Sequence, residues 1–138
     1  MRSLLTPLAA LLAFVLSADE ARAEGERASA ICERVAGPGR VRCDLELVVP
    51  GARIAWADVQ VVDTPLFVTA LKGRIGPADV SQKERERWRF SFGLVARARG
   101  AGDVHLRARA VACRPNGDQE RCEAIQLPVT AAVSSGER

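Results

Sequence analysis

The stretch RVRCDLELVV (residues 40–49) alternates without a break. Val41, Cys43, Leu45 and Leu47 point one way, and Arg42, Asp44 and Glu46 the other. A side-chain period of two over this length belongs to a β-strand with one face buried and one in water. Pro50-Gly51 ends it.

The same period recurs downstream. Residues 53–62 begin with Ile54 and Trp56 on one face, and the apolar parity then shifts to Val59 and Val61 across Ala57-Asp58. Such a slip marks a β-bulge. Residues 65–72 form a short strand bounded by Gly73 and Gly76-Pro77. Trp88, Phe90, Phe92 and Leu94 share a face, and Gly100-Ala101-Gly102 reads as a turn. Val104, Leu106, Ala108, Ala110 and Ala112 share the next face, opposed by His105, Arg107, Arg109 and Val111. Ile125, Leu127, Val129, Ala131 and Val133 close the pattern.

Residues 24–29 read as a loose lead-in and the tail from Ser134 as frayed. One stretch lacks strand pattern: ADVSQKERER (residues 78–87) predicts one or two helical turns, with Asp79 placed to cap free N–H groups. About seven strands and one short helical candidate predict an all-β chain, an antiparallel immunoglobulin-like β-sandwich.

The amino terminus sets the compartment. Arg2 opens the chain, residues 4–16 are apolar apart from Thr6 and Pro7, and Ala21-Arg22-Ala23 offers a small-residue cleavage site. This pattern predicts a signal peptide at residues 1–23 and a single β-sandwich domain at residues 24–138. The apolar run is too short to span a bilayer, and none later is longer, so no transmembrane segment is expected after cleavage. The expected location is the periplasm or the extracellular space, and the arginine- and alanine-rich composition suits a bacterial source. The net charge is +3, a mild basicity that does not call for nucleic acid.

Four cysteines in an exported chain point to disulfides. A two-residue turn on Gly37-Pro38 sets Cys32 opposite Cys43, and one on Gly117-Asp118 sets Cys113 opposite Cys122. Opposed strand residues lie within disulfide reach. Glycine first in the second turn suits type II′. A turn on Asn116-Gly117 would instead leave the second pair diagonal. An inter-sheet Cys43–Cys113 bridge is disfavoured, because Cys113 has the parity of His105, Arg107 and Arg109 while Cys43 has core parity. The chain also has no tyrosine to form the corner seen in antibody-type domains.

Motifs for chemistry are missing. The spacings C-x10-C and C-x8-C with one histidine do not suit zinc. There is no G-x-S-x-G elbow, no H-E-x-x-H, no calcium loop and no glycine-rich phosphate loop. Asp and Glu fall on solvent-facing positions. No catalytic residue, metal or cofactor is expected.

One charged feature stands out. Folding the chain at Ala101 would set Arg89, Arg97, Arg99, Arg107 and Arg109 on the outer side of two neighbouring strands. Like charges so placed repel, so such a face needs nearby acids or an anionic partner. Arginine's planar fork suits phosphate and carboxylate groups. The expected partner is therefore an unidentified protein or an anionic envelope component.

The segment LRARAVACRPNGDQERCEAIQLPVTAAV (residues 106–133) has a strand ending in cysteine, a short cap, a second cysteine and a return strand. It resembles the N-terminal periplasmic immunoglobulin-like domain of the DsbD family of thiol:disulfide interchange proteins. That resemblance implies a sandwich fold and, as an alternative function, a thiol–disulfide relay through Cys113 and Cys122. Glu123-Ala124 stand where aromatic and proline residues follow the second cysteine in that family. The leading expectation is a non-enzymatic binding or supporting module.

Overall fold

The computed structural model describes residues 25–136. Within them the chain forms β1 (Arg27–Cys32), β2 (Gly39–Val48), β3 (Arg53–Asp63), β4 (Val68–Ala70), β5 (Arg74–Ile75), β6 (Val80–Lys83), β7 (Arg87–Ala96), β8 (Gly100–Asn116) and β9 (Gln119–Ser135). One antiparallel sheet runs β1-β2-β7, and the far edge of β7 is shared between β4 and β6. The other runs β5-β3-β8-β9. Taken in chain order, β1, β2, β7 and β6 occupy the A, B, E and D places of an immunoglobulin-like sandwich, and β3, β8 and β9 the C, F and G places. The fold is thus the expected all-β sandwich.

The alternation read from the sequence builds the core. Val41, Cys43, Leu45 and Leu47 of β2 and Trp88, Phe90 and Leu94 of β7 are buried from one sheet. Val104, Leu106, Ala108, Ala110 and Ala112 of β8 meet them from the other, with Ile125, Val129, Ala131 and Val133 of β9. The alanines keep the second sheet's inner surface low, so the large aromatics opposite can fill the space between sheets.

Both disulfides form as expected, although residues 33–38 make a longer connection than the two-residue turn expected on Gly37-Pro38. Cys32 lies opposite Cys43 and Cys113 opposite Cys122, each with Cα atoms 4.0 Å apart. Gly117 has φ +62° and Asp118 does not have positive φ, the pattern of a type II′ turn. The chain therefore keeps both bridges local, and none links the two sheets.

Five local expectations need correction. The lead-in contains β1, an edge strand of small residues held against β2 and bonded to it through Cys32–Cys43. The helical candidate reduces to one 3-10 turn, Pro77–Asp79, after which the chain runs as β6 along β7. Asp79 does cap: its carboxylate accepts from the Gly76 N–H at 3.2 Å and from Lys72 at 2.9 Å. The tail is not frayed at Ser134, because β9 continues to Ser135 and the Val35 N–H donates to the Ser134 carbonyl.

The fourth correction concerns Gly100-Ala101-Gly102, which begins β8 and makes no hairpin turn. The chain crosses there from one sheet to the other, so β7 and β8 are not neighbours. The glycines answer to packing: a Cβ on Gly100 would stand 2.9 Å from Phe67 Cδ1, and one on Gly102 would stand 2.8 Å from Pro65 Cγ. The fifth concerns the bulge of β3. It falls between Ile54 and Trp56, earlier than the parity shift suggested, and a second register shift lies between Val61 and Asp63. Trp56 is thereby turned away from the core to pair with Val111 on the outer face.

Candidate binding face

That bulge organises the outer face of the β5-β3-β8-β9 sheet. With Ala55 extra, Trp56, Asp58 and Gln60 all point outward, while Ala57 and Val59 are buried. Across the sheet, Trp56 meets Val111 and Ala124, Asp58 meets Arg109 and Gln126, and Gln60 meets Arg107 and Pro128. β5 adds Arg74 beside Gln60.

Asp58 is the centre of this face. It is wholly buried although it stands on the outer side. Arg109 Nε donates to its Oδ1 at 2.8 Å, Arg109 Nη2 donates to Oδ2, and Arg74 Nε donates to Oδ2 at 2.6 Å. Burial pushes the Asp58 carboxyl up, but the hydrogen bonds and charges of Arg109 and Arg74 outweigh it and hold the group below the ordinary aspartate value. The hydrogen bond to Asp58 in turn raises Arg109. The Arg109 guanidinium also lies 5.6 Å from the centre of the Trp56 ring, within cation–π range.

Two arginines around one carboxylate leave a net positive charge, and Arg107 adds another. Arg107 is exposed and makes no ion pair among the described residues. The result is a face with cations held in fixed positions at one level and Trp56, Val111 and Ala124 at the next. Fixed guanidiniums can grip carboxylate or phosphate oxygens with little further ordering.

The five arginines singled out in the sequence do not share this face. Arg107 and Arg109 are on β8, in the sheet just described. Arg89 is on β7, in the opposite sheet, and donates to Glu46 at 2.8 Å. Arg97 and Arg99 lie in the β7–β8 connection. The single arginine face required a β7–β8 hairpin, and the crossing between sheets removes it. His105 sits 3.3 Å from the Thr130 hydroxyl at the far end of the same face.

The cysteine pair at residues 113 and 122 lies on the outer side, as parity required, yet its two members differ. Cys122 is exposed and Cys113 only 1% so. Cys113 lies between Arg53 and Cys122, and Arg53 reaches across β8 to Glu120 with bonds of 3.0 Å. Arg114, which flanks the pair, donates to the Pro50 carbonyl at 2.8 Å.

Asp58, Arg74 and Trp56 were not visible as a group in the sequence. Asp58 belongs with acids expected in solvent, and only a bulge placed at Ala55 puts it beside Trp56. Among the described residues, no three of His, Cys, Asp and Glu gather so as to hold a metal ion. The two disulfides suit an oxidising compartment. No helix among the described residues is long and apolar enough to cross a membrane. The proposed signal peptide lies outside the described residues.

No protein-family model matches the chain, and no curated protein matches it. Among solved structures, it is similar to the ASH/PapD-like domain of human CEP192 (PapD-like domain 7). The identity is 11%, the match covers 95% of this chain and 100% of that one, and the TM-score is 0.38. The strand order, not this likeness, carries the immunoglobulin-like assignment.

Proposed function

We propose that this protein is an exported, periplasmic or extracellular binding module without chemistry of its own. Its outer β5-β3-β8-β9 face takes an acidic segment of a partner protein. The observation that carries this reading is the buried Asp58 beneath Arg109 and Arg74. Burying a carboxylate on the outer side of a sheet is costly, and a merely solvated face has no need of it. Here it fixes two guanidiniums beside Trp56, with Arg107 free alongside. Arg107 would meet the partner's carboxylates, and Trp56, Val111 and Ala124 its apolar side chains.

The test uses a soluble glutamate-rich peptide as probe and amide and indole NMR shifts as readout. Shifts should cluster on Trp56, Gln60, Arg107 and Arg109 and fade with salt. Arg107→Glu should remove them while leaving the melting temperature unchanged. Shifts that ignore this face, or that survive Arg107→Glu, refute the reading.

A second reading rests on the unequal exposure of the hairpin cysteines. With Cys122 exposed and Cys113 covered, an incoming thiolate from a partner dithiol would attack the Cys122 sulfur. The S–S bond would break and Cys113 would leave as the thiolate. The partner's second thiol would then displace Cys122, leaving the partner oxidised and this pair reduced. The reduction potential decides. A value below about −300 mV marks a structural bridge and ends this reading, whereas a relay pair sits higher.

A further inference from the structure

One end of the sandwich carries the Cys113–Cys122 hairpin. At the other, the connections at 33–38, 64–67 and 97–99 come together. The Arg97 N–H donates to the Phe67 carbonyl at 2.7 Å, and the Gly136 N–H to the Val35 carbonyl at 2.9 Å. The Thr64 hydroxyl donates to the Val68 carbonyl at 3.1 Å and closes the base of the 64–67 loop.

Within that loop, neighbouring side chains have opposite fates. Pro65 and Phe67 press onto Gly102 and Gly100, where no Cβ has room. Leu66, between them, is fully exposed at 104%. A leucine on a slack loop would fold back onto apolar surface. This one cannot, because both neighbours are pinned and the Phe67 carbonyl is engaged. Val62, just before the loop, is 54% exposed. The segment bonded to the loop brings Arg97 and Arg99, both exposed and without an ion pair among the described residues. No acid lies in either 64–67 or 97–99, while the 33–38 connection holds Glu33, which accepts from the Arg42 N–H at 2.9 Å, beside the exposed Arg34. The acids nearest in sequence are Asp63, just before the loop, and Asp103, in β8 beyond it.

We infer that this end docks on an anionic lipid surface, with Leu66 inserted among the acyl chains and Arg97 and Arg99 at the phosphates. A protruding aliphatic side chain with two exposed arginines on the adjoining connection fits the membrane interface: the apolar group enters the tails, and arginine heads stay with the anionic groups. A bilayer needs no matching socket for Leu66 to enter. This surface is separate from the Trp56–Arg107 face, and neither depends on the other.

The test uses the full chain with Leu66→Trp, and vesicles of either neutral phosphatidylcholine or phosphatidylcholine mixed with phosphatidylglycerol. Lipids brominated in the tails serve as quenchers. The unsubstituted chain supplies the Trp56 and Trp88 background. Emission from position 66 should shift to the blue and be quenched in the anionic vesicles, with partition higher by about tenfold or more than in neutral ones. Adding Arg97→Glu and Arg99→Glu should return it to the neutral-vesicle level. Because the amino-terminal segment is unchanged by that reversal, tethering through residues 1–24 cannot imitate the result. Emission unchanged by lipid, as expected were Leu66 a plug for a protein socket, overturns the inference. So does quenching that persists after charge reversal.

Discussion

Arg109 lies directly opposite Asp58 across β3 and β8, and both Nε and Nη2 of the arginine donate to the one carboxylate. Arg74 joins from β5, so this two-residue strand is held by an ion pair as well as by its pairing with β3 and the buried Ile75. This ion cluster ties the edge of the fold to the centre of the candidate face.

Asp58→Asn should therefore destabilise the sandwich. Removing one partner of a fully buried pair costs about 3–5 kcal/mol. Here Arg74 and Arg109 keep part of their surface in water and can rehydrate, so about 2–3 kcal/mol is expected. Chemical denaturation measures it. A loss under ~0.5 kcal/mol would show that the cluster does not hold the fold.

The pH dependence has a definite sign. Glu46 lies below its ordinary value chiefly through the hydrogen bond from Arg89, and Glu120 chiefly through the one from Arg53. Asp58 is lowered as described above. Groups lowered on folding bind protons more weakly when folded. Their stabilisation is full above the unfolded carboxylate range, about pH 4–4.5, and is lost as pH falls below it. The denaturation midpoint should fall on acidification in that window, and Asp58→Asn should flatten the fall.

The edge of β9 away from β8, bridged by Val35 at its end, makes a further prediction. The Val35 N–H donates to the Ser134 carbonyl, so the even-numbered residues of β9 turn their backbone groups away from β8. Pro128 is in that set. Its missing N–H costs no ladder bond and denies one to an incoming strand. From 124 to 135 the strand has no charged residue, which leaves proline as the main guard of this run. Pro128→Val should produce concentration-dependent association in analytical ultracentrifugation. A variant that behaves as the parent does at every concentration would show that the edge is protected otherwise.

The two bridges should act locally. Replacing Cys32 and Cys43 with Ala should cost about 2–3 kcal/mol and speed hydrogen exchange along Arg27–Cys32 in particular. Replacing Cys113 and Cys122 should loosen the hairpin end while the exchange of β1 stays slow. Uniformly faster exchange in both variants would contradict this division.

Gly102→Ala tests the crossing between sheets. The new Cβ would meet Pro65 at 2.8 Å, and a loss of about 1–3 kcal/mol is expected from overpacking. If Gly102 were a turn glycine, as the sequence suggests, alanine would matter through backbone conformation, yet its φ is not positive.

Much of this architecture was legible in the chain. Alternation along 40–49, 88–94 and 104–112 marks strands and their buried faces, because a strand's side-chain period is fixed by its backbone. The spacing around Gly117-Asp118 sets one disulfide register for the same reason. Cys32–Cys43 was legible too, although the connection there is longer than a two-residue turn.

What stayed hidden depends on contacts between distant segments. Gly100 and Gly102 look like turn residues until Phe67 and Pro65 are seen against them. The arginine face dissolves because β7 and β8 belong to different sheets, a choice no local pattern records. The Asp58 cluster needs a bulge one residue wide, which exchanges the faces of the residues from Trp56 to Val61, up to a second register shift. Periodicity along the chain determined the strands, their core faces and the local disulfides. Only the packing of the two sheets decided which outward charges meet, because that depends on strand order and register across residues far apart in sequence.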